Sequence, residues 1–172
     1  AVLENEAGAQ YELVSGFIRR SSGAANPVFR NSGSLLKSAP VGGAPTPAVI
    51  SAPLVSGGQI EVTGADLAIS GDAELSGEVI VDRTADPSSL LRLGAGSGVE
   101  QTLGDLTFHA RSGGVLEFGS GDFNLIGRLE SEGDSGEAHF SKGTSLLVVK
   151  AGESAVVDFD ENVPLRFGAN LN

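Results

Sequence analysis

The chain has 172 residues, 22 Asp and Glu against 11 Lys and Arg, a formal charge of −11, and no Cys, Met or Trp. That balance argues against nucleic acid and against an anionic membrane surface as partners, since both need clustered cations, and no apolar run reaches the roughly 20 residues that span a bilayer. Without Cys there is neither a disulfide nor a thiolate metal site. With 25 Gly and an apolar set of Val, Leu, Ile, Ala and eight Phe, the expected fold is all-β, with thin aliphatic layers and many turns.

Charge divides the chain. Residues 1–50 carry net +1 and residues 51–172 carry net −12. The first region, 1–56, reads as an N-terminal arm followed by a Pro/Gly-rich linker. In YELVSGFIRR the alternate residues Tyr11, Leu13 and Phe17 line one face of a strand that ends in Arg19 and Arg20, with a short helix over Glu4 to Val14 as the alternative. Pro40, Pro45, Pro47 and Pro53 fix φ and bias the residues before them towards extended backbone, so no helix passes through the linker.

The body, 57–172, alternates with a period of two: Ile60 and Val62, Leu67 and Ile69, Ala73 and Leu75, Val79 and Val81. Gly64, Gly71 and Gly77 punctuate these pairs at spacings of seven and six residues. Such spacing leaves three or four extended residues per corner, short for a sandwich strand and suited to a coil. After ADPSS the pattern resumes at Leu91 and Leu93 and runs through Phe108, Phe118, Phe123 and Phe140 to Leu165 and Phe167. A short β-solenoid of the right-handed β-helix type is therefore expected, its apolar pairs pointing inward and stacking from rung to rung. A jelly-roll or β-sandwich is the alternative, because SLLVVKAG and SAVVDFDE are long enough for ordinary strands.

The stretch LLRLGAGSGVEQTLGDLTFHARSGGVLEFGSGDFNL, from Leu90 to Leu125, resembles the β-strand repeats of autotransporter passengers and related exported bacterial proteins. Its QTLG turn (Gln101 to Gly104) and its glycine-framed step (Gly113 to Gly121) carry the resemblance, which covers about a fifth of the chain. The resemblance implies an exported parallel β-helix that projects from, or forms part of, a cell surface. The acidic sequence after Gly127 departs from that pattern.

Catalytic signals are sparse. The two His, His109 and His139, fall on strand positions opposite the apolar face, and GAGSG at Gly94 to Gly98 is neither a nucleophile elbow nor a phosphate loop. Acidic residues such as Glu61, Glu74, Glu117 and Glu130 alternate with apolar ones, as on a solvated strand face. The chain is expected to be no enzyme, with no catalytic or cofactor-binding residue and no small-molecule substrate. Calcium is the one candidate cofactor, with Asp158, Asp160, Glu161 and Asn162 as the first cluster and Glu130, Glu132, Asp134 and Glu137 as the second. Charged loops that keep the surface soluble are the alternative for both.

These features lead to an expected function in assembly. A slightly basic, partly apolar arm on an acidic body suits strand addition to a neighbouring copy, and a contact of that kind repeats into a homopolymer. Tyr11, Leu13, Val14, Phe17, Ile18, Arg19 and Arg20 are the expected subunit contact, in an extracellular filament or cell-surface layer. A viral capsid decoration or fibre protein is a second reading and a monomeric surface adhesin a third, the last weakened by a single Tyr and no Trp for stacking on sugars.

Overall fold

The computed structural model describes residues 2–19, 27–94, 100–140, 145–149 and 152–167. Among them there is no helix, and every strand pairing is parallel. The chain winds into a β-solenoid with three strand positions per turn. The first rung is β1 (Val2–Asn5), β2 (Gln10–Leu13) and β3 (Gly16–Ile18), and the second is β4 (Val28–Asn31), β5 (Ser34–Lys37) and β6 (Ala48–Ile50). The third is β7 (Leu54–Ser56), β8 (Gln59–Val62) and β9 (Asp66–Ile69).

In the next two rungs the first corner is straightened. β10 (Ala73–Asp82) covers two strand positions before β11 (Leu90–Leu93), and β12 (Glu100–Arg111) does the same before β13 (Gly114–Phe118). A register shift between Leu75 and Gly77 marks where that corner lies, and Gly77 has φ +83°, a left-handed backbone that favours glycine. The sixth rung is β14 (Gly121–Leu125), β15 (Gly127–Gly133) and β16 (Gly136–Phe140), and the last is β17 (Ser145–Val148), β18 (Ala155–Phe159) and β19 (Leu165–Phe167). The order β1-β4-β7-β10-β12-β14-β17 along one sheet means that six turns separate the first and last rungs.

Strand alternation determines which side chains face the axis. One inward column runs Tyr11, Leu35, Ile60, Val79, Phe108, Ser131, Phe159 through successive pairings. Another runs Leu3, Phe29, Leu54, Ala73, Gln101, Phe123, Leu147. Leu35, Leu67, Leu91, Phe108 and Phe118 are wholly buried, each contributing roughly 1.5–3 kcal/mol relative to exposure. Phe118 and Phe140 stack at 4.5 Å between centroids, with Phe123 edge-on to Phe118 at 5.2 Å. This aromatic cluster fills the fifth and sixth rungs.

A polar column lies beside these. Asn5, Asn31 and Ser56 occupy one inward register position, continued by Leu75, Leu103 and Leu125. Asn5 Nδ2 donates to Asn31 Oδ1 at 2.7 Å and to the Ser34 carbonyl at 2.9 Å; Asn31 Nδ2 donates to Ser56 Oγ at 2.9 Å and to the Gln59 carbonyl at 3.1 Å. The ladder satisfies corner carbonyls that alternation alone would leave buried.

Strand pairing runs across the boundary expected at residue 56. Residues 2–18, read from sequence as an extended arm, form the first rung of the coil, and the Pro-rich linker is an excursion at 38–47 between β5 and β6. Its prolines sit outside the strands, so fixed φ and a missing N–H cost the sheet nothing there. No helix forms over Glu4 to Val14; β1 and β2 lie there instead.

Candidate assembly interface

The residues expected to contact a neighbour occupy β2, β3 and their flanks. Tyr11 and Leu13 point inward and pair with Leu35 and Lys37 of the same chain. Val14 contributes its carbonyl to the Lys37 ammonium at 3.0 Å. Phe17 points outward and is 68% exposed, Ile18 turns back to the core, and Arg19 is exposed. Arg20 lies outside the described residues. One edge of this strand set thus pairs within the chain. Among the described residues, the outer edges of β1, β2 and β3 pair with nothing.

The last rung has the same character. β17, β18 and β19 pair only with β14, β15 and β16 among the described residues. The half-buried apolar residues against the core are Tyr11, Ile18, Leu147, Ala155, Phe159 and Leu165, and all six belong to the first or last rung. Of the large exposed apolar residues, Val2, Leu3, Phe17, Val149, Val156 and Val157 also lie on or beside those rungs; Val41, in the 38–47 excursion, is the exception. Val157 shows why: it continues the column of Leu106 and Leu129, which are buried at 1% and 0%, yet it is 46% exposed because no described strand lies beyond it. Among the described residues the core is covered laterally, and no strand lies over its first or last rung.

The last-rung residues were not singled out from sequence. The signal was present in the alternation of Leu147, Val157, Phe159 and Leu165, but it became a surface only once the register placed those residues at one end of the stack.

Other chemistry in the chain is dispersed over the lateral faces. His109 and His139 stand outward, as the alternation predicts. His109 Nδ1 faces Glu132 Oε2 at 3.6 Å, and His139 lies between Glu117 Oε2 at 4.0 Å and Glu137 Oε1 at 3.4 Å. Arg92 bonds Glu117 at 3.1 Å and Arg166 bonds Glu137 at 2.9 Å, so with His139 these groups form one charge ladder on the seven-stranded sheet, whereas His109 and Glu132 stand on the twelve-stranded one. In the ladder each arginine is paired with a carboxylate.

Of the calcium candidates, Asp158 pairs with Arg128 at 2.7 Å, and Asp160 Oδ1 caps the turn by accepting the Asn162 N–H at 2.8 Å. Glu161 is exposed in that turn. In the second cluster Glu130 pairs with Arg128 and accepts from Thr107 Oγ1 at 3.0 Å. Among the described residues no group of three or more His, Asp or Glu is placed to hold a metal ion.

A groove of about 640 Å³ on the outward side of β4, β7, β10 and β12 is flanked by Asp72, Glu74 and Glu100 over Pro53 and Val55. Asp72 Oδ1 accepts the Glu100 N–H at 3.2 Å, and Glu100 Oε1 accepts from Asn124 Nδ2 at 2.6 Å. The buried amine of Lys37 is the other group with chemical potential. It occupies an inward position with no exposed surface, and burial pushes its pKa down while Asp86 and Asp66 oppose that shift. Its three protons meet the carbonyls of Val14, Ser38 and Gly64 at 3.0, 2.6 and 2.5 Å. An amine so enclosed and saturated serves structure.

Comparison with protein-family models, with curated proteins and with solved structures finds no match to this chain. Among the described residues no helix is long and apolar enough to cross a membrane.

Proposed function

We propose that this chain is a structural subunit that assembles with copies of itself into an extracellular filament or surface layer, by adding its first rung to a neighbour's sheet edge. The observation that carries the reading is that, among the described residues, every half-buried apolar residue packed on the core belongs to the first or last rung. Open strand edges with apolar side chains exposed beside them are sites where further strands add. The placement outside the cell draws on the resemblance of Leu90 to Leu125 to exported β-strand repeats. The described residues of that stretch form β11 to β14, in the fourth to sixth rungs, so the likeness concerns the coil rather than its first or last rung.

Strand addition to an open rung gives main-chain hydrogen bonds and apolar burial together, which is the energetics of the coil itself continued between chains. The test is sedimentation and electron microscopy of the chain over a range of concentrations. Assembly should grow with concentration and be suppressed by Tyr11→Lys, which places a charge at the half-buried end of the core. A chain that stays monomeric at millimolar concentration overturns the proposal. Deleting residues 2–18 is a poorer test, because it uncovers the edge of β4–β6, an equivalent surface.

A further inference from the structure

We infer that the edge receiving the first rung is the last rung of a second copy, joined head to tail so that each inward column continues across the junction. The inference rests on the assembly reading above and adds the identity, polarity and register of the contact. Its basis is the column structure of the coil. In a parallel ladder each strand position has one register, and that register is repeated through six turns.

Extending the register by one rung sets β1 on β17, β2 on β18 and β3 on β19. Phe159 then meets Tyr11 of the next copy and Leu147 meets Leu3, continuing columns that already contain Phe108 and Phe123. Leu165 meets Gly16, a large residue over a small one, as Leu165 already does with Ala138. On the outer face Asp158 meets the amide of Gln10, and Arg166 shares a column with the exposed ring of Phe17. An arginine over an aromatic face is an attractive contact.

Head-to-head pairing lacks these matches. It is an isologous contact that sets β1–β3, with Glu4 and Glu12 on their outer faces, against the same strands of the partner, and it closes as a dimer. Head-to-tail addition has one like-charged meeting, Glu12 with Asp160 just beyond β18, so raised salt should favour the junction.

The chain has no Cys, which makes engineered disulfides a direct test. Gln10→Cys and Asp158→Cys lie on one outward column, and both positions are exposed at the surface. Combined in one chain and oxidised under assembling conditions, they should give a reducible ladder extending past the dimer. Each single variant, and a control pairing Gln10→Cys with mid-coil Glu61→Cys, should give no ladder. Assemblies that form but cross-link through Gln10→Cys alone, as a dimer, show head-to-head contact and overturn this inference while leaving self-assembly intact. Assemblies in which the double variant does not cross-link overturn the register in the same way. A chain that forms no assemblies overturns the assembly reading itself, and this inference with it.

Discussion

Lys37 and Asp86 hold opposite ends of one peptide group. The ammonium of Lys37 donates to the Gly64 carbonyl at 2.5 Å, and the N–H of the following residue, Ala65, donates to Asp86 Oδ2 at 2.8 Å. The peptide between them is polarised in the sense both charges favour, and it fixes the corner between β8 and β9. Asp86 also accepts from the Ser88 N–H at 2.9 Å and from the Ser88 hydroxyl at 2.7 Å, which ties the loop before β11 to the same corner.

Removing the carboxylate should therefore loosen two corners at once. Asp86→Ala leaves the Ala65 and Ser88 donors without their acceptor and the buried ammonium without the carboxylate that acts on it most strongly. The expected cost is about 2–3 kcal/mol, read as a lower urea midpoint. In a double-mutant cycle with Lys37→Met the two changes should be non-additive by about 1 kcal/mol.

Stability should depend on pH at both extremes. The Ser88 N–H and hydroxyl hold Asp86 below the usual carboxylate range, and the hydroxyl and N–H of Thr84 do the same for Asp82. Each is more acidic folded than unfolded, so its stabilisation is complete above the unfolded value of about 4 and is lost as pH falls through the folded value. Asp66, pushed up chiefly by burial, works in the opposite sense and disfavours folding once ionised. The urea midpoint should thus fall steeply below about pH 4, with a shallower limb in Asp86→Asn. Lys37 acts on the alkaline side. Its folded pKa lies below the unfolded one, so the stability of the natural chain relative to Lys37→Met should rise with pH towards about 10.

The amide ladder gives a third test. Asn31 is 1% exposed, accepts from Asn5 and donates to Ser56 and Gln59. Asn31→Ala strands those partners and opens a small cavity, with an expected cost of about 2–4 kcal/mol by chemical denaturation. Asn124→Ala should cost less, about 1–2 kcal/mol, because that amide, although only 6% exposed, makes a single side-chain bond, to the exposed Glu100, which water can satisfy in its place.

Backbone strain sits at the corner that Lys37 and Asp86 hold. Ala65 adopts φ +59°, the left-handed region, although it carries a Cβ. Ala65→Gly relieves a penalty of about 1–2 kcal/mol but removes a buried methyl worth about 0.8 kcal/mol and adds chain entropy of about 0.4–1 kcal/mol, so thermal or urea unfolding should shift by no more than about 0.5 kcal/mol, unlike the clear loss expected of an alanine-to-glycine change at a relaxed buried strand position.

The sequence by itself determined the body of the coil. A period of two and glycine corners six or seven residues apart are local properties, and the inward pairs from Ile60 and Val62 to Ala138 and Phe140 stand where alternation put them. Tertiary structure alone decided the first two rungs. The partners of residues 2–5 are 28–31, 26 positions away across the Arg20 region, and no local period reports a pairing of that span when an excursion such as 38–47 interrupts the spacing. It also decided Lys37. In SLLK the lysine follows Leu35 by two and so falls on the inward face, which its charge would forbid unless carbonyls from three separate corners converged on it. The half-burial of core residues in the first and last rungs was hidden for the same reason: Tyr11 and Phe159 read as ordinary strand residues until the register placed them at opposite ends of one column.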